Sequence, residues 1–73
     1  MSTRRWTVQG ETYFGGGWRA TAADAWRAAH ADAADRYHHR LYEPLTLTVD
    51  NVRVTVTDKT LDTIIRKHIG DAR

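Results

Sequence analysis

Apolar and polar residues alternate with a period of two along residues 45–57, Leu-Thr-Leu-Thr-Val-Asp-Asn-Val-Arg-Val-Thr-Val-Thr. Strict alternation of β-branched residues is the mark of a strand with one buried face. The Asp50-Asn51 pair interrupts it, and both residues tolerate the left-handed backbone that a tight turn needs. A two-residue turn there pairs Val49 with Val52, Leu47 with Val54 and Leu45 with Val56. All six apolar side chains then share one face, and Thr46, Thr48, Arg53 and Thr55 share the other.

The period changes upstream. Ala22, Trp26, Ala29, Ala33, Tyr37 and Leu41 recur at spacings of three and four, which predicts a helix over residues 21–42. Thr21 followed by Asp24 is a capping-box variant, and alanine dominates the helix body. Asp24, Arg27, Asp35 and His38 fall roughly opposite the apolar stripe, and Asp32 and Arg36 stand one turn apart in a favourable order. Pro44 disfavours helix at Glu43, so the helix ends near Tyr42. A second helix is expected over residues 59–69, with Asp58 as N-cap. Leu61, Ile64, Ile65 and Ile69 would lie on one face, Arg66, Lys67 and His68 in the last turn, and Gly70 would cap the C-terminus.

The first twenty residues are more ambiguous. Arg5–Gln9 reads as a strand with Trp6 and Val8 on one face. Glu11–Phe14 reads as its partner. A three-residue connection pairs Val8 with Thr12 and Trp6 with Phe14, whereas a two-residue turn pairs Val8 with Tyr13. Gly15-Gly16-Gly17 then interrupts, and Trp18-Arg19-Ala20 resumes the strand. The expected order is β-β-α-β-β-α. This is an α+β fold, an antiparallel sheet with two helices packed on one face, in a single small domain over residues 1–73.

Length and composition narrow the function classes. Seventy-three residues leave room for one small core. The absence of cysteine excludes disulfides, thiolate metal sites and a cysteine nucleophile. The two arginines near the start precede no apolar run, so no secretory signal is read there, and no segment is apolar enough to span a bilayer. The expectation is a cytoplasmic protein with no membrane partner. The net charge of +2 is spread without a block of like charge, so the field permits anionic partners without demanding them.

Candidate chemistry is sparse. The triglycine lacks the lysine of a P-loop and the spacing of a dinucleotide fingerprint, and reads more simply as a bend or bulge that lets Trp18 turn into the core. Arg19 and the start of the helix at Thr21 could receive an anion. Asp35 with His38 or His39 has the spacing of two metal ligands, but Arg27 on that face would repel a cation. His30, at the border of the apolar stripe, reads as a half-buried, hydrogen-bonded ring. The run Arg36-Tyr37-His38-His39-Arg40 has the residue types of a metal-free ribonuclease site, yet successive helical residues point different ways. No catalytic, metal or cofactor residue is therefore assigned, and no cofactor is expected.

Two surfaces remain. Arg4, Arg5, Trp6, Trp18 and Arg19 interleave basic and aromatic residues as single-strand binders do, although both tryptophans serve equally well as core. The polar hairpin face of Thr46, Thr48, Arg53 and Thr55 suits a DNA groove, a second copy of the chain, or water alone. The leading expectation is a non-enzymatic interaction or regulatory module, of the mobile-element or phage-like kind, that binds a protein partner or itself as a homodimer. The alternative is a nucleic-acid-binding domain that uses the hairpin face and a basic N-terminal arm. Here Arg4 and Arg5 would contact phosphate, Arg19 backbone and Arg53 a base edge. A small metal-free ribonuclease using His38 or His39 is a distant third.

Overall fold

The computed structural model describes residues 3–69. Its elements run β1 (Arg4–Gln9), β2 (Phe14–Arg19), α1 (Ala22–His38), β3 (Leu45–Val49), β4 (Val52–Val56) and α2 (Leu61–Ile69). The strands form one antiparallel four-stranded sheet in the order β2-β1-β3-β4. The fold is α+β, as the alternation and periodicity imply. β1, the N-terminal strand, is thus an inner strand, and α1 carries the chain from β2 over β1 to β3. No helix among the described residues is long and apolar enough to cross a membrane.

The β3–β4 hairpin has the register read from its alternation, with Leu45 opposite Val56, Leu47 opposite Val54 and Val49 opposite Val52. Asp50 takes the strained turn position at φ 56°. Leu45, Leu47, Val49 and Val56 are buried beneath α1 together with Trp6 and Val8 of β1. Val54 is only half-buried and Val52 is exposed, because the helices do not cover that corner of the sheet.

α1 buries Ala25, Trp26, Ala29 and Ala33 against the sheet. Small residues at the contact let the helix lie close, and Trp26 fills the wider space. The Thr21 hydroxyl accepts the Asp24 amide at 3.1 Å, as an N-cap does. The C-terminus departs from the expected end near Tyr42. The helix stops at His38, and Arg40 enters the left-handed region at φ 68°. The Arg40 amide donates to the Tyr37 carbonyl and the Leu41 amide to the Arg36 carbonyl, a Schellman arrangement that satisfies the last carbonyls. The turn therefore ends the helix four residues before the Pro44 restriction could act.

α2 packs on α1 and touches β4, with Leu61 buried at the junction. It begins two residues later than expected, and Asp58 is not its cap. Instead Thr57 and Thr60 close the turn, the Thr57 amide donating to the Thr60 hydroxyl at 2.9 Å. The side chains of Ile64, Ile65, His68 and Ile69, and the expected cap at Gly70, lie outside the described residues.

The N-terminal hairpin differs from both expected registers. β2 runs Phe14–Arg19 and contains all three glycines, with Gln9 opposite Phe14, Val8 opposite Gly15 and Trp6 opposite Gly17. The connection is a four-residue loop, Gly10–Tyr13, closed by the Gly10 amide on the Tyr13 carbonyl at 2.7 Å. Glu43 pins it from outside. Its carboxylate accepts the Thr12 amide at 2.9 Å and the Thr12 hydroxyl at 3.0 Å. A side chain at Gly10 would collide with that same carboxylate.

The glycines are not a bend. They make room for groups of β1, of the Gly10–Tyr13 loop and of α1 that press on this edge. A Cβ at Gly17 would stand 3.0 Å from the Trp6 indole nitrogen. A Cβ at Gly15 would stand 2.5 Å from the Tyr13 hydroxyl and 2.8 Å from the Asp32 carboxylate. The bare strand makes room for the Trp6 ring and for the Tyr13–Asp32 link between loop and helix.

Candidate nucleic-acid interface

Strand alternation assigns every sheet residue to a face. The helix side takes Val8, Trp6, Leu45, Leu47, Val49 and Val56. The other side has no helix over it, and the pairing arranges it in rows across the strands. One row runs Phe14, Gln9, Thr46, Thr55. The next runs Gly16, Thr7, Thr48, Arg53. A third begins with Trp18 opposite Arg5. The middle of this face is a shallow basin whose walls include Phe14, Arg5, Thr48 and Arg53.

Phe14 and Trp18 are the unexpected members. Trp18 was expected in the core, and Phe14 opposite Trp6. The observed register moves both to the open face, where they are 60% and 59% exposed. The Arg5 guanidinium lies over the Trp18 ring at 5.7 Å. Neither Arg5 nor Arg53 forms an ion pair among the described residues. The one carboxylate at the basin, Asp50, is taken by Arg4 at 3.1 Å. Among the described residues the face therefore presents two guanidiniums without a carboxylate partner, one of them stacked on Trp18, and two exposed rings within a field of hydroxyls, two of which, Thr46 and Thr55, approach to 3.2 Å.

The expected contact residues divide accordingly. Arg5, Thr46, Thr48, Arg53 and Thr55 are brought together on the open face. Arg4 and Arg19 are not. They pair with each other across β1 and β2 at positions whose parity is that of Trp6 and Gly17, on the helix side. Arg19 donates to the Trp18 carbonyl at 2.7 Å and Arg4 is held by Asp50. The supposed basic arm is an inner strand whose arginines alternate between faces. Only a correct register for β2 could have found Phe14 and Trp18. The available signal was their spacing with Gly16, which places all three on one face once the glycines are read as strand.

Helix-side polar groups serve packing. The Tyr13 hydroxyl donates to Asp32, reaching its two oxygens at 2.7 and 2.9 Å. Burial and then this carboxylate push the Tyr13 hydroxyl above its ordinary value. Arg36 lies over the Tyr13 ring at 5.0 Å and bonds to Asp35 rather than to the expected Asp32. That bond holds the Asp35 carboxyl below the usual range. Tyr37 reaches the carbonyls of Glu43 and Val56 at 3.0 and 3.2 Å, tying the helix end to β4. His30 is half-buried and bonded to Asp62 of α2 at 2.8 Å, as its place beside the stripe implies. His38 and His39 meet edge to face at 5.5 Å at the end of α1, on the opposite side of the sheet from Arg5 and Arg53. No group of three or more possible metal ligands occurs among the described residues. No family model, curated protein or solved structure matches the chain.

Proposed function

We propose that this protein is a non-enzymatic module that binds single-stranded nucleic acid on the open face of its sheet. The observation that carries the reading is the exposure of Phe14 and Trp18 on the same face as Arg5 and Arg53, neither of which is ion-paired among the described residues. Exposed rings on a flat sheet offer stacking platforms, and any base has a face to stack. Phe14 and Trp18 stand four residues apart on β2, a backbone rise of about 13 Å, with only Gly16 of β2 between them on that face, so two bases can lie along the strand. Arg5 and Arg53 reach phosphate on either side of the β1–β3 pair, and the threonine hydroxyls and Gln9 supply hydrogen bonds. A duplex would meet this face with its phosphates but would keep its bases stacked away from the rings.

The ribonuclease reading draws no support from the geometry. A phosphate held at Arg5 and Arg53 is a whole sheet thickness from His38 and His39. Arg36, one of the two arginines of that run, is engaged by Asp35 and the Tyr13 ring.

The test is fluorescence anisotropy of a labelled single strand, with intrinsic tryptophan emission read in parallel. Binding should weaken as salt rises from about 50 to about 200 mM, with a logarithmic slope of about −1.4 for two phosphate contacts on a single strand. Trp18→Ala and Phe14→Ala should each weaken binding by about 1–3 kcal/mol. Arg5→Ala with Arg53→Ala should flatten the salt slope. Affinity indifferent to salt and to all four substitutions refutes the proposal.

A further inference from the structure

The outer edge of β2 points to a second use. β4 and β2 are the two edges of the sheet. Natural edges are usually guarded by lysine, proline, a bulge or a covering loop, because an open row of amides and carbonyls invites another strand. Among the described residues, β2 carries no lysine, proline or bulge along Phe14–Trp18. It is regular, and it has no side chain at three consecutive positions.

We infer that β2 pairs antiparallel with β2 of a second copy, making one continuous eight-stranded sheet with a two-fold axis at Gly16. The register follows from parity and from the exposed rings. Residues directly opposite in an antiparallel ladder point to the same face. Keeping both open faces on one side therefore requires partner positions of equal parity. Of those registers, the one centred on Gly16 places each Phe14 opposite the second copy's Trp18. Neighbouring registers leave at least one ring of each copy facing empty space. The glycines meet only glycines, so no Cβ holds the strands apart. Arg19 falls opposite the second copy's Tyr13, so no two like charges stand across the new ladder. The helices of both copies lie on the same side of the extended sheet, with each α1 packed over its own β1 and β2.

The join would place the four rings in a cluster at the centre of a doubled open face, flanked on each side by Arg5 and Arg53. It completes the aromatic surface with residues from both chains. The pairing needs no nucleic acid, so its failure and that of the nucleic-acid reading are told apart by measuring mass in the absence of any oligonucleotide.

The experiment is a concentration series by analytical ultracentrifugation from micromolar to millimolar chain. A dimer is expected for the native protein. The double variant Phe14→Lys/Trp18→Lys should remain folded by circular dichroism and sediment as a monomer at every concentration, because it sets lysine against lysine across the ladder. The double variant Phe14→Glu/Trp18→Lys should regain the dimer, since each glutamate then faces a lysine. A second readout does not depend on those variants folding. The chain has no cysteine, so Phe14→Cys mixed with Trp18→Cys should give a disulfide-linked heterodimer on oxidation in higher yield than either variant alone. A native protein that stays monomeric at millimolar concentration overturns the inference. So does a dimer that persists in the lysine variant, or cross-linking that shows no preference for the mixed pair.

Discussion

Leu47 and Thr48 are neighbours on β3 and share the same two flanking strands, yet they belong to different machines. Leu47 is fully buried under α1 between Val8 and Val54. Thr48 sits on the open face between Thr7 and Arg53. One face holds the molecule together with close-packed aliphatic and indole groups. The other carries Arg5, Arg53 and the exposed rings of Phe14 and Trp18. On the proposal made above, the uncovered side of the sheet is the one that meets nucleic acid. Stability and binding should then respond to separate sets of substitutions.

The largest effect should follow from cutting into the helix side. Leu47→Ala is expected to cost about 2–5 kcal/mol in chemical denaturation, whereas Thr48→Ala on the same strand should stay within about 0.5 kcal/mol. Similar losses for the two would break the division between faces. Gly17→Val comes next. It pushes a side chain against the Trp6 indole and should cost about 1–3 kcal/mol through overpacking, although it adds apolar surface to a strand. Glu43→Ala removes the charged acceptor of the Thr12 amide and should cost about 1–2 kcal/mol, with selective loss of amide-exchange protection in the β1–β2 loop.

A smaller effect is read in alkali. The Tyr13 and Tyr37 hydroxyls are both raised above 10.0, chiefly by burial. A phenol raised on folding stabilises the protein fully below its unfolded value and loses that contribution as pH climbs through the folded one. Thermal stability should therefore fall above about pH 10, and Tyr13→Phe should make the fall shallower. The smallest effect is a gain. Arg40→Gly relieves a left-handed residue at the helix C-terminus and should add about 0.5–1 kcal/mol without touching the open face.

The two hairpins show what a sequence can and cannot state about such a molecule. In β3–β4 every position carries a side chain, and a one-residue slip of β4 would turn Val54 and Val56 away from the core. Alternation alone fixes that register. In β1–β2 three positions carry nothing, so alternation has no purchase. The register is set instead by Glu43, thirty-one residues from Thr12 in the chain, and by the space that Trp6 and Asp32 demand above Gly17 and Gly15. Neither constraint is local. The open face was accordingly legible where threonines mark it and illegible where its aromatic residues stand. Arg4 and Arg19 part from Arg5 for a related reason. Basic residues adjacent in sequence look like one patch, but on a strand adjacent residues part to opposite faces. The end of α1 was hidden similarly, because arginine is an unusual residue for the left-handed position that stops the helix.

The most direct measurement is a ¹H–¹⁵N correlation spectrum of the native protein titrated with a short single-stranded oligonucleotide at low salt. The account expects progressive shifts at Arg5, Thr7, Gly16, Trp18, Thr48 and Arg53, including the Trp18 indole proton, while the Trp6 and Trp26 indoles and the body of α1 stay still. Shifts centred on α1 or around His38 and His39, or none at all, would contradict the assignment of the open sheet face as the working surface.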